Sequence, residues 1–148
     1  MTSLKKFLKG KNFVRIPLHF TTTNHFDIKA EINGVPGRFI LDTGASNTCI
    51  DLDRITYFNL AYETSETKAA GAGATDMDTL ISTQNHIKIG KWQRKRLKIV
   101  LLDLVHVNTA LSSHDTDPVD GIIGADILKK GRAIIDYRHK ALYLWDKK

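Results

Sequence analysis

The chain has one cysteine, three prolines and no long apolar run, and each shortage removes a class of protein. Cys49 has no second cysteine to pair with, so a disulfide-stapled scaffold is excluded and a reducing compartment fits. No stretch approaches the ~20 apolar residues that cross a bilayer as a helix. The basic start, MTSLKKFLKGKNFVRIPL, lacks the apolar centre of a signal peptide and offers at most a short amphipathic turn. The cytoplasm is therefore the expected location and no membrane partner is expected. The histidines (His19, His25, His86, His106, His114, His139) show no HExxH spacing and no paired CxxC accompanies them, so they read as structural or surface residues. Gly71-Ala72-Gly73 is not followed by GK[ST] or completed to GxGxxG, which argues against a phosphate loop. No metal or cofactor is expected.

What remains is 148 residues, enough for one core, with 22 Lys and Arg against 16 Asp and Glu. Much of the excess charge lies at the N-terminus (Lys5, Lys6, Lys9, Lys11, Arg15) and in Lys91-Trp-Gln-Arg-Lys-Arg-Leu-Lys98. The second run adjoins the alternation Leu97, Ile99, Leu101, so it reads as the solvated face of a hairpin. A nucleic-acid surface would require it to join the N-terminal lysines on one face. Residues 1–13 read as a basic extension and 14–148 as the domain.

Strand signals dominate. Residues 14–20 read as an edge strand because of Pro17. Residues 25–31 and 38–41 flank Asn33-Gly34, the strongest short hairpin signal. Residues 86–89 and 97–104 read as a second hairpin turning near Gly90, and 108–120 as a loop. Residues 125–131 read as a short helix capped by Asp126, and 133–137 with 141–145 as a last hairpin.

The apolar run Phe39-Ile40-Leu41 ends at Asp42-Thr43-Gly44-Ala45-Ser46. A carboxylate leaving a packed strand is held in place and partly shielded. Gly44 permits a sharp turn and close approach of a substrate or second chain, and the Thr43 hydroxyl can brace the loop. Ile122-Ile123-Gly124 faintly repeats the pattern in the second half, without an aspartate. Asp51 and Asp53 read as surface or turn groups, Asp120 as a turn residue, and Asp136 as a partner for Arg132 or Arg138. Cys49 reads as a small core residue.

RFILDTGASNTCID resembles the active-site motif of retropepsin-like aspartic proteases, and DGIIGADIL resembles their second signature. The resemblance spans about residues 14–145. It implies a mainly β, closed barrel-like lobe with one short helix in its C-terminal half and a flap hairpin over the cleft. It further implies that Asp42 is the catalytic acid/base, that Thr43 and Gly44 form its loop, and that Ile122, Ile123 and Gly124 are structural. Substrate would meet Ala45, Ser46 and a glycine-bearing flap around Ala70-Gly71-Ala72-Gly73. Two-lobed relatives carry a second DTG or DSG, and this chain has none, so the resemblance implies a homodimer with a shared-proton Asp42/Asp42′ pair hydrolysing peptide or unfolded protein. The terminal strands, 14–20 and 141–145, are the expected dimer contacts. Retroviral members follow DTGA with acidic residues and their second-signature glycine with an arginine that pairs with one of them. Ser46-Asn47 and Ala125 replace these, so neither half leaves an orphaned charge. The alternatives are a non-catalytic dimeric peptide-binding module of the same fold and, more remotely, a basic nucleic-acid-binding protein.

Overall fold

A computed structural model describes residues 2–64, 69–71, 74–77 and 79–147. Its elements are α1 (Leu4–Leu8), β1 (Phe13–Pro17), β2 (His19–Phe20), β3 (Phe26–Ile32), β4 (Val35–Leu41), β5 (Cys49–Asp51), a single 3₁₀ turn (Leu52–Arg54), β6 (Glu63–Thr64), β7 (Ala69–Gly71) and β8 (Ala74–Met77). They continue with β9 (Leu80–Ile89), β10 (Trp92–Leu102), α2 (Val105–Ser113), β11 (Gly121–Ile123), α3 (Ala125–Lys130), β12 (Ile134–Asp136) and β13 (Ala141–Trp145). None of the described helices is long and apolar enough to cross a membrane.

Hairpin β3–β4 turns at Asn33 and Gly34, both with positive φ (54° and 81°), as a two-residue turn between right-twisted strands requires. The neighbour order β3-β4-β11-β5-β10-β9 closes on itself where Ile32 meets Ile87, making a six-stranded barrel. Period-two alternation turns Ile28, Ile32, Phe39, Ile50, Ile87, Ile89, Leu97 and Ile99 into one core with Trp92 and Phe58. The basic run of β10 takes the other face: Gln93, Lys95, Arg96 and Lys98 are exposed while Trp92 and Leu97 are buried.

The expected strand 14–20 is split. Pro17 has no N–H to continue a ladder, and Leu18 N donates to Lys140 O at 2.8 Å where the chain crosses between sheets. Strand β1 therefore pairs with β13, and β2 with β3. The small sheet has the order β1-β13-β12, so both hydrogen-bonding edges of β13 are filled within the chain. Among the described residues the unpaired edges of this sheet belong to β1 and β12. Within residues 1–13, α1 is capped by Ser3, whose side chain accepts from Lys6 N, and Leu8 is buried with Ala141 and Tyr143. The expected flap region contains the antiparallel hairpin β7–β8, with Gly71 paired to Ala74. Ala72 and Gly73 lie outside the described residues.

Helix α2 occupies part of the segment read as a loop, so the C-terminal half holds two helices, α2 and α3, rather than one. Its sequence, VHVNTALSS, is poor in strong helix formers and buries only Leu111. Tertiary contacts hold it instead. Val105 N is capped by Asp103 Oδ1 at 2.9 Å, and Asn108 exchanges two hydrogen bonds with the Val119 backbone (3.1 and 2.8 Å). Leu111 packs in a second cluster with Ile40, Cys49, Leu104, Val119 and Ile122, against which Val107 also rests. Leu111→Ala is expected to lower stability by about 2–5 kcal/mol, measured by denaturant unfolding.

Candidate active site

The placement of Asp42 follows from one exchange of neighbours. Strands β4 and β5 are joined by the loop 42–48 yet do not pair with each other, because β11 lies between them, parallel to β4 and antiparallel to β5. Asp42 N continues the ladder by donating to Ile123 O at 3.0 Å. The loop then bends away from the barrel. Gly44 N donates to Asp42 Oδ1 at 2.8 Å and Ala45 N to Asp42 O at 3.2 Å, so the carboxylate is oriented by its own loop. Asp42 is half-buried, Thr43, Gly44 and Ser46 are exposed, and Ala45 packs against the second cluster.

The second signature clamps this loop from behind. Ala125 N donates to Ala45 O at 2.7 Å, and a Cβ on Gly124 would stand 2.6 Å from that same carbonyl oxygen. The close approach is available to glycine alone. Asp126, expected as the helix cap, does something else. The N-cap position of α3 is Gly124, and the Asp126 carboxylate reaches across to the site loop. It accepts from Thr48 N (3.0 Å to each oxygen), from Thr48 Oγ1 (2.8 Å) and from Ile127 N (2.8 Å). Thr48 is fully buried, and its hydroxyl oxygen also accepts from Gly124 N at 3.1 Å. Thr48 and the cross-loop role of Asp126 went unseen in sequence reading. The available signal was a hydroxyl residue closing the site loop and an aspartate two places after the signature glycine.

Asp42 opens onto a cleft of about 610 Å³ floored by Ile40 and Ile122. One wall is the loop of residues 22–25 and the other is α2. Asp42 is the one carboxylate in its lining among the described residues. On the other side of the loop, Thr43 borders a shallower groove of about 300 Å³ with Ala125, Leu128, Lys129, Ala133 and Ile135.

The remaining carboxylates sit elsewhere, in part against expectation. Asp51 is a turn group, buried rather than superficial: it caps the 3₁₀ turn by accepting from Asp53 N at 3.4 Å, and desolvation raises its pKa above the ordinary carboxylate value, with backbone donors from Asp53 and Leu104 opposing. Asp120 binds Arg54 Nε (2.8 Å) and accepts from Arg38 N (3.0 Å), fixing the entry to β11. Asp136 pairs with His139, at 2.8 Å, and not with an arginine; that contact lowers its pKa. Cys49 lies in the second cluster, where burial above all pushes its thiol up to about 12 and keeps it neutral.

Thr48→Val is expected to cost about 1–3 kcal/mol, because it strips the Asp126 carboxylate and Gly124 N of a buried partner while keeping shape. Thermal denaturation measures this loss, and a change confined to a few tenths of a kcal/mol would contradict the clamp.

Comparison with known proteins agrees with this geometry. Residues 28–127 match the aspartyl protease family. Sequence comparison with curated proteins finds no significant match. Among solved structures the chain resembles a retropepsin-like aspartic protease from Rickettsia conorii at 21% identity, with 89% of this chain and 90% of that one covered and a TM-score of 0.57. It also resembles the EIAV protease complexed with the inhibitor HBY-793, at 19% identity over 75% and 91% of the two chains, with a TM-score of 0.54. A third likeness is to the retroviral protease-like domain of Ddi1 from Leishmania major, at 15% identity over 80% and 86%, with a TM-score of 0.54. At these identities the structures speak for the fold, and the family match covers the site loop and both signatures; the chain belongs to the aspartyl protease family and has a retropepsin-like fold.

Proposed function

We propose that this chain is an aspartic endopeptidase whose catalytic pair is built from Asp42 of two copies. The observation carrying the proposal is the carboxylate at the head of a large cleft, oriented by Gly44 N and with no second carboxylate beside it in the cleft lining among the described residues. Hydrolysis of a peptide needs a base to take a proton from water and an acid to give one to the carbonyl oxygen and then to the leaving amine. Two adjacent carboxylates do not both ionise; they share one proton and supply both roles, the arrangement established for aspartic proteases as a class. In an isologous dimer a residue on the two-fold axis meets its own copy, which turns one Asp42 into two.

The face that meets the second copy is inferred from continuity. The groove beside Thr43 runs from the site loop across α3 to Ala133 and Ile135, ending at β12, whose outer edge is unpaired among the described residues. Such an edge invites pairing with another strand. Two copies joined through β12 would bring the Thr43 loops together. Substrate would lie extended in the cleft beneath the β7–β8 hairpin, with Ala70 and Gly71 on the described part of the flap and Ala45 and Ser46 at the loop.

The Asp42→Asn protein is expected to lose cleavage of an unfolded protein substrate across pH 4–7 while keeping its oligomeric mass in sedimentation. Wild-type rates are expected to follow a bell on the acidic side of neutral, since the base limb and the acid limb belong to one coupled pair. Equal cleavage by both proteins would remove Asp42 from the chemistry, and a folded wild-type dimer that cuts nothing would leave a peptide-binding module. Ile135→Arg is expected to convert dimer to monomer in sedimentation and to abolish cleavage with the circular dichroism of the fold retained. An unchanged mass would move the interface elsewhere.

A further inference from the structure

The wall that α2 contributes to the cleft has a chemistry of its own. His106, Ala110 and His114 follow one another at four-residue spacing and all line the cleft, with Val107 and Leu111 beside them. The stripe therefore has an imidazole at each end, about 12 Å apart along the axis, and a methyl group between. His25 enters from the opposite wall. Apart from Asp42, these three histidines are the only ionisable groups in the lining among the described residues. They do not form a metal site: the described His, Cys, Asp and Glu side chains make no cluster of three or more that could hold an ion.

The wall is built in place. Thr22 Oγ1 donates to His114 O at 3.3 Å and is 3.1 Å from Thr116 Oγ1, so the end of α2 is tied to the facing loop. His114 Nδ1 lies 2.9 Å from Ala110 O, and a carbonyl only accepts, so Nδ1 carries the hydrogen and Nε2 is the nitrogen left for a ligand. His25 Nδ1 is held 2.9 Å from Thr23 Oγ1. The acidic groups on the surrounding elements are engaged or turned away from the cleft lining. Asp103 caps α2, Asp117 pairs with Arg38 at 3.0 Å, Asp120 pairs with Arg54, and exposed Asp115 is not part of the lining.

We propose that this wall is a specificity subsite for a substrate side chain with an apolar stem and a carboxylate end, glutamate in the first instance, beside the scissile bond. The inference rests on the proteolytic reading and deepens it. Ile40, Val107, Leu111 and Ile122 accept the methylenes, and one of the imidazoles, in its protonated form, donates to the carboxylate. Imidazole gains its charge as pH falls from 8 towards 5, the range in which a shared-proton pair also works. A permanent cation such as lysine would hold the preference at all pH values; histidine ties it to acid conditions.

The test uses one peptide series differing only at the residue before the scissile bond (Glu, Gln or Leu), at pH 4.5 and 7.5. Each is measured as cleavage by wild type and as binding to the Asp42→Asn protein by fluorescence anisotropy. Glu is expected to exceed Gln by about two- to fivefold in kcat/KM and in affinity at pH 4.5, in keeping with a partly solvated ion pair. The ratio should approach one at pH 7.5, and at both pH values in the His106→Gln, His114→Gln double variant. The series is repeated with the substitutions after the scissile bond, and either side suffices. Equal Glu and Gln values on both sides, or a Glu preference that survives the double variant, would overturn the subsite. A binding preference without any cleavage would sustain the subsite and sink the proteolytic reading, so the two fail separately.

Discussion

The site depends on β11 lying between two strands that are consecutive in the chain. Because β4 and β5 cannot pair with each other, the seven residues between them must leave the barrel, cross the end of β11 and return. That detour is the site loop. The Asp42 N–Ile123 O bond sets where it begins, and Thr48, buried beside Gly124 N, sets where it ends. Moving β11 by one residue would exchange its inward and outward faces and lose Ile123 from the core and Ile122 from the cleft floor together.

The clamp behind the loop shows how magnitudes select between two solutions. Where the retroviral pattern pairs an arginine with an acid, this chain has Ala125 and Ser46. An ion pair open to water contributes about 0.2–1 kcal/mol. A hydrogen bond to a charged group away from bulk solvent contributes about 1.5–3 kcal/mol. Asp126 with Thr48 uses the second kind, from two donors on one residue, and so joins helix to loop without a surface charge pair. It also leaves small residues, Ala125 and Ala133, beside Thr43 in a groove whose lining carries one charged side chain, Lys129.

The barrel hairpin and the site loop were legible in the sequence because each rests on a local signal. Asn33-Gly34 carries its turn in its own backbone preferences, and alternation at residues 25–31 marks a half-buried strand whatever its neighbours. Asp42-Thr43-Gly44 could be found as a motif, and its place at the end of an apolar strand followed. What was missed depends on contacts distant in sequence. Helix α2 has no strong propensity and no apolar stripe beyond Val107 and Leu111; Ile40, Cys49 and Ile122 make it a helix by packing against it. Asp126 reads as a cap until Thr48, 78 residues away, is seen beside it. The break at Pro17 was visible, but the switch of sheets it produces was not, because that needs the partner Lys140.

The central claim is that one chain holds half a site. The most direct test is wild-type specific activity against protein concentration, measured with sedimentation under the same conditions. Specific activity is expected to fall on dilution in step with the loss of dimer and to vanish for the monomer. Specific activity that stays constant through the range where the protein becomes monomeric would contradict it.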